Sequence, residues 1–450
     1  MKHGHQSGPQ AGEMPCGGRE PGFIVGFAGA FRLLVAVLLA AYPVTVWAVP
    51  HGDSSTYNIL ASAGLVSFLL RRHGLVTREE KHLALALLCF FLITVVAWVV
   101  NGLHPATGGQ VERYFLFTGG IAILYLVSVV RPPAAVVWWG GTLGAALMGV
   151  YALYMTRLGQ VESLRDFLMI HSQVNYINFG QIALVNSCLS VVAIPYFSRG
   201  NRWAVVWPLV AFVLGLVAVG LSLTRGVWVA LPALFVIMSW QGFRGIGRHK
   251  KLALTFGLAV LASAVVLLTN ERVSKRFTEG VEQVVGYVHD NRAGTPVGAR
   301  MEMYRVAWDI FVDNPLFGAG KGGYQEIVSR LVEEGDVHPY VGQHSFPHSE
   351  FASQLAYHGL AGLAGLAVVL AVPTVVFVRR LSAVDTVRRR TGQAGLLLMV
   401  AYVHFMFTDS ILEQRTTIIH FSLMVPLLTA LGARRSPGRG EQEVEGHGTQ

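Results

Sequence analysis

The sequence predicts an all-α polytopic membrane protein with about twelve transmembrane helices, and three properties of the chain indicate this class. Of its 450 residues, 53% are hydrophobic and only 14% are charged, whereas soluble globular chains average about 25% charged residues. The mean hydropathy is +0.49. Apolar runs of about 20 residues, enough to cross about 30 Å of hydrocarbon, recur along the chain. A disordered chain, a coiled coil and most soluble enzymes are thereby excluded.

The predicted spans follow one another with short links, except before the last three. The weakest boundaries are those marked only by Arg131-Pro132-Pro133 and by Thr224-Arg225-Gly226. The twelve spans are predicted near 23–49, 54–70, 83–102, 114–130, 133–155, 174–197, 203–223, 226–240, 252–268, 349–378, 393–408 and 416–433.

The distribution of basic residues predicts the orientation. With both termini cytoplasmic, the inside segments hold 21 of the 35 Lys and Arg residues, and the short outside loops hold five. The net charge of +9 therefore reflects orientation, and it does not indicate nucleic-acid binding. The predicted organisation is a cytoplasmic tail (1–20), nine spans (21–268), a periplasmic loop (269–348), three spans (349–433) and a second tail (434–450).

The long outer loop is predicted to be helical. Valine and phenylalanine recur at helical spacing between Val273 and Val288, which favours an amphipathic helix on the bilayer. A second helix runs through Tyr304 and Val312 and ends at Asn314-Pro315, and a third contains Ile327 and Leu331.

The first motif with chemical potential is Leu221-Ser222-Leu223-Thr224-Arg225-Gly226, a tight link between two spans. Arg225 is either a topological anchor that reaches the interface or a fixed guanidinium for phosphate oxygens.

The second motif begins with Arg300 and continues through Arg305 to Asn314-Pro315-Leu316-Phe317-Gly318-Ala319-Gly320. Arg305 has acidic neighbours at helical spacing, which favours a local ion pair, whereas Arg300 is the better candidate for an external anion. The glycines satisfy G-x-G-x-x-G, but no buried strand precedes them, so a turn after a helix is predicted instead of a nucleotide site.

The third motif is Gln343-His344-Ser345-Phe346-Pro347-His348-Ser349-Glu350, where the loop re-enters the membrane. A histidine titrates near neutral pH, which suits a general base. Zinc binding by His344 and His348 is the competing interpretation, but it needs a helix that Pro347 opposes. The chain contains no D-x-D pair, and no cofactor or metal is predicted.

Ionisable residues inside the predicted spans are few. Asp409 stands at the outer end of the eleventh span, where it either caps a helix or faces Arg225 and His348.

In this order and topology, the three motifs resemble the O-antigen ligase and polymerase superfamily. The resemblance covers about half of the chain, from near 203 to 433, and its third motif runs from Pro347-His348 to Gly359-Leu360-Ala361-Gly362. The chain departs from the pattern at Ser349, where many members have asparagine, and at His358, where a carboxylate is common.

The resemblance implies a GT-C-like, inverting, metal-independent glycosyltransferase at the periplasmic face of a Gram-negative inner membrane. Its donor would be a glycan on undecaprenyl diphosphate, with His348 as the base and Arg225 and Arg300 as diphosphate ligands. Further candidate substrate-binding residues are Arg305, His344, Glu350 and Asp409.

Within the superfamily, one major outer loop favours a ligase that joins O-antigen to lipid A–core oligosaccharide. An O-antigen polymerase and a protein O-oligosaccharyltransferase are the alternatives within this class. A polyisoprenoid-linked sugar transporter is the alternative from another class, and it predicts charged residues along a membrane path, which are scarce here.

Overall fold

The computed structural model describes residues 22–71, 75, 77–158, 161, 163–171, 174–242 and 294–433, with a few single positions between 275 and 287. For residues 22–28, 71, 158, 171 and 240–242 only the helical backbone is described. Within the described residues every regular element is helical, which confirms the predicted fold class.

The helices are numbered here in chain order. The first eleven are α1 (Gly22–Ala48), α2 (Gly52–Arg71), α3 (Arg78–Val100), α4 (Pro105–Tyr114), α5 (Leu116–Val130), α6 (Ala135–Leu153), α7 (Leu164–His171), α8 (Tyr176–Phe197), α9 (Val206–Leu221), α10 (Arg225–Trp228) and α11 (Leu231–Gly242). The remaining six are α12 (Pro296–Asp313), α13 (Gly320–Glu334), α14 (Pro339–Gly342), α15 (Glu350–Arg380), α16 (Thr386–Thr408) and α17 (Arg415–Leu431).

Eight helical segments in the described part of the chain are long and apolar enough to cross a membrane. The helix at the predicted second span, α2, is present but less apolar, and the segments Arg225–Ser239 and Arg415–Leu431 at the eighth and twelfth are apolar but shorter. The predicted ninth span lies outside the described residues, as do both tails. Eight full-length segments therefore stand where about twelve spans were predicted.

The helices pack in two groups. One group contains α1, α6, α8 and α9, and the other contains α2, α3, α5, α15, α16 and α17. Contacts between α1 and α2 and between α8 and α16 join them, and one large apolar cluster extends through both. Many leucine and valine side chains on the outside of the bundle are exposed, which is the surface that a lipid environment requires.

Polar contacts show which connections share a side of the bundle. Glu79, in the first turn of α3, pairs with Arg380 and Arg388, which flank the α15–α16 connection. At the other end, Thr416 donates to the carboxylate of Asp53 over 2.8 Å. These pairings agree with the predicted alternation, in which 71–82 and 379–390 share one side.

The predicted second and third loop helices are present as α12 and α13. Thr295 caps α12 by accepting from Gly298 N, and Asn314 ends it as expected. The two helices share a small apolar core with Ala356 and Tyr357 at the start of α15. The outer layer is thus attached directly to a membrane helix. The predicted amphipathic helix near 273–288 falls largely outside the described residues.

Helix α15 is broken at Gly359, whose φ of 60° and ψ of −147° are not helical. The loop after α12 fills the break: Leu360 N donates to Pro315 O over 2.8 Å, and Ala361 N donates to Leu316 O over 3.1 Å. In the opposite direction, Ala319 N donates to Ala356 O. Backbone groups freed by the break are therefore paired, as a membrane environment demands.

Candidate active site

His344 and His348 meet in a non-helical segment that leads into α15. Nε2 of His348 lies 3.2 Å from Nδ1 of His344, although Pro347 prevents the helix that their spacing suggested. His348 has a φ of 55°, a strained conformation for a residue with a side chain. The hydroxyl of Tyr304 holds it by donating to the His348 carbonyl over 3.2 Å.

Asp409 orients His348 from the opposite side. Its Oδ1 lies 3.1 Å from Nδ1 of His348, and the pair is largely buried. Because a carboxylate can only accept, Nδ1 of His348 carries the proton and Nε2 is the basic nitrogen. The backbone N–H of Ser410 also donates to Oδ1 of Asp409, over 2.9 Å.

Asp409 is itself held by a residue that the sequence did not single out. Nε2 of Gln414 donates to Oδ2 of Asp409 over 2.6 Å, and Asn175 donates to Oε1 of Gln414 over 3.2 Å. Asn175 caps α8, so this chain of hydrogen bonds links the start of α8 to His348. An amide five residues after an aspartate carries no recognisable sequence signal.

Arg300 lies on α12 within electrostatic range of this cluster. Burial, nearby His348 and Arg300 together lower the pKa of His344. Burial also raises the pKa of Tyr304, while Arg300 acts to lower it and Asp409 to raise it. Arg300, His344, His348 and Asp409 therefore belong to one charged neighbourhood.

Arg225 begins α10, which packs against α8 and α16. A side chain at Gly226 would lie 2.5 Å from Oγ1 of Thr408, so the Arg225 turn is pressed against the residue before Asp409. The turn is fastened by Thr224, which donates to Tyr176 O over 3.2 Å. The guanidinium of Arg165 lies over the ring of Tyr176, 4.9 Å from its centroid.

Two candidate residues point away from this cluster. Arg305 donates to the carbonyl of Asp336 over 3.1 Å, so it fastens the loop after α13 instead of forming the expected pair along its helix. Glu350 is fully buried, where it accepts from Gln354 over 2.8 Å and from Leu412 N over 2.9 Å.

A largely buried ion cluster around Glu413 was not predicted from the sequence. Oε2 of Glu413 lies 2.5 Å from Nζ of Lys321 and 3.1 Å from Nη2 of Arg113, and Gln110 donates to Oε1 over 2.6 Å. These residues come from regions far apart in sequence, so no local pattern could have revealed the cluster. It ties the outer helix α13 to α4 and to the segment after Asp409.

The described residues contain no group of three or more His, Cys, Asp or Glu side chains placed to hold a metal ion. The zinc interpretation therefore has no third ligand in the part of the chain that the structure describes.

Comparison with known proteins places these residues in a family. A family model described as O-antigen ligase matches residues 210–367, which include Arg225, Arg300 and both histidines. An uncharacterized protein of Haemophilus influenzae is 22% identical over 397 residues, covering 87% of this chain and 96% of that protein. The O-antigen ligase of Escherichia coli is 23% identical over 291 residues, covering 62% of this chain and 66% of that protein. Residues 210–367 thus match the O-antigen ligase family, which confirms the resemblance that the three motifs predicted.

Proposed function

We propose that this protein is an O-antigen ligase that transfers glycan from undecaprenyl diphosphate to lipid A–core oligosaccharide. The observation that carries the proposal is the contact chain from His344 through His348 to Asp409, with Arg300 and the Arg225 turn beside it. The match to the O-antigen ligase family supports the reaction class.

In the proposed reaction an acceptor hydroxyl attacks the anomeric carbon of the donor. The new glycosidic bond forms as the bond to the diphosphate oxygen breaks, and the hydroxyl proton passes to Nε2 of His348. An entering hydroxyl takes over the Nε2 contact from His344. Asp409 holds the ring by Nδ1 and stabilises the imidazolium that forms. Attack opposite the leaving group inverts the anomeric configuration.

The departing undecaprenyl diphosphate develops negative charge, which fixed cations can stabilise. We assign this role to Arg300, whose charge acts on His344, and to Arg225, whose turn packs against the residue before Asp409. A guanidinium binds phosphate oxygens through two parallel hydrogen bonds, so neither a nucleotide nor a divalent cation is required. We propose that the site faces the periplasm of a Gram-negative inner membrane, where nucleotide sugars are absent.

Complementation tests the proposal. In a Gram-negative strain that lacks its own ligase, the wild-type gene should restore long O-antigen on lipopolysaccharide. The purified enzyme should keep full activity in excess chelator. His348→Ala and Asp409→Asn should lower the transfer rate by about 10²–10⁴-fold, and Arg225→Ala and Arg300→Ala by about 10²–10³-fold. Arg330→Ala, an exposed position on α13, is the matched control and should retain activity.

Transfer at wild-type rate by the His348→Ala protein would refute the general-base assignment. The glycan of a null strain separates ligase from polymerase. Bare core with accumulated lipid-linked polymer indicates a ligase, whereas core that bears a single repeat indicates a polymerase and overturns the proposed acceptor.

A further inference from the structure

Helix α12 presents three different faces, and only two of them are explained by the fold and the proposed site. One face, with Met303 and Ile310, is buried in the outer core. The next carries Arg300 and Tyr304 toward His344 and His348. The third is an exposed apolar stripe.

The stripe consists of Met301, Trp308 and Val312, which lie on one side of α12 and are 39%, 56% and 59% exposed. Their spacing of seven and four residues keeps them in line along the helix. The ring of Phe311 packs against Trp308 at 5.3 Å between centroids and widens the apolar surface. Beyond the stripe the helix is charged, with exposed Arg305 and Asp309. An apolar stripe between two polar faces is typical of a helix in a membrane interface.

The segment after α12 links the stripe to the surface of a membrane helix. Past the end of α12, Leu316 is 63% exposed and its carbonyl accepts from Ala361 N, inside the break of the membrane helix α15. Leu360, beside it on that helix, is 49% exposed and belongs to the outer surface of a span. These backbone contacts place the end of the α12 segment directly beside Leu360, on the exposed apolar side of a candidate span.

We propose that α12 lies in the outer-leaflet interface, with the stripe of Met301, Trp308 and Val312 in contact with acyl chains. Arg300, on the adjoining face, is then held at the depth of lipid headgroups. A tryptophan in this position matches the preference of its amphipathic ring for the membrane interface. This placement of α12 is proposed for the protein without substrate, and it does not depend on the reaction proposed above.

Spin-label accessibility tests this placement in the full-length protein. In a variant lacking Cys16, Cys89 and Cys188, single cysteines at Trp308 and Val312 are labelled with a nitroxide, and the protein is placed in phospholipid nanodiscs free of polyprenyl lipid. Collision with oxygen, which concentrates in acyl chains, is compared with collision with a water-soluble nickel chelate. Asp309, the next residue on the charged face, is the matched control.

We expect oxygen to exceed the nickel chelate in accessibility at 308 and 312, and the order to reverse at 309. High nickel accessibility at all three positions would show a water-exposed stripe that awaits a polyprenyl chain or a protein, and would overturn the proposal. Low accessibility to both reagents would show burial against protein, such as a second copy, and would overturn it equally. Loss of transferase activity in any labelled variant leaves this readout unaffected, so it is distinguishable from failure of the proposed function.

Discussion

The pKa of His344 is lowered by burial, by His348 and by the positive charge of Arg300. His344 therefore stays neutral at pH values where an exposed histidine is already protonated. Acidification below the ordinary pKa of 6.5 protonates the unfolded chain first, so this residue disfavours the folded state as the pH falls.

Arg300→Gln removes one of these causes, so the pKa of His344 should rise. Imidazole NMR titration of the protein in nanodiscs, with the His344 resonance assigned by its loss in His344→Gln, measures the change. Arg330→Gln removes a positive charge from an exposed position on α13 and is the control. An unchanged pKa in the Arg300 variant, or an equal rise in the Arg330 variant, would contradict the electrostatic link between Arg300 and His344.

Among the elements, α15 depends on one glycine. Gly359 adopts a φ of 60° with a ψ of −147°, a region that essentially only glycine occupies, and a side chain there would lie 2.5 Å from Pro315 O. Gly359→Ala should therefore destabilise the protein by about 1–3 kcal/mol from backbone strain alone. Thermal unfolding in detergent, followed by intrinsic fluorescence, should show a lowered midpoint.

Gly109→Ala provides the comparison for this change. Gly109 lies in helix α4 with nothing within 4 Å of an added side-chain carbon, and alanine favours a helix. The melting temperature of the Gly109→Ala protein should be equal to that of the wild type or higher. A Gly359→Ala protein with the same melting temperature as the Gly109→Ala protein would show that the break in α15 can close.

Across the whole molecule, the polar contacts show which helix connections lie on the same side of the bundle. The basic residues predict which of the two sides is cytoplasmic. Single cysteines at Val384, which is 95% exposed, and at exposed Glu333 on α13 test this prediction. In intact cells that express the protein without its native cysteines, a membrane-impermeant maleimide should label the cysteine at position 333 directly. It should label the cysteine at position 384 only after the cells are permeabilised. The reverse pattern would invert the topology and remove the periplasmic placement of the site.

Much of this architecture could be predicted because its signals are local. Apolar runs gave the helices, and turn residues such as Asn314-Pro315 gave the end of α12. The position of Asp409 beside His348 was one of two alternatives, and only the packing of α15 against α16 decides between them. Gln414, Lys321 and Glu413 could not be assigned, because their partners lie in distant parts of the chain.

Two of the predicted spans are short in the described part of the chain. Arg225–Ser239 and Arg415–Leu431 are apolar but shorter than the other candidate spans. A hydropathy window does not distinguish a short helix that ends in a polar turn from a complete crossing. Both helices begin beside the candidate site, at Arg225 and just after Gln414.

The broken helix α15 also has a consequence for how the protein is assembled. Pro315 and Leu316 leave the ribosome before Leu360 and Ala361, whose N–H groups donate to their carbonyl oxygens. We therefore expect those two N–H groups to stay unpaired until the span meets the segment that carries Pro315 and Leu316. A deletion within that segment should impair membrane insertion of the protein.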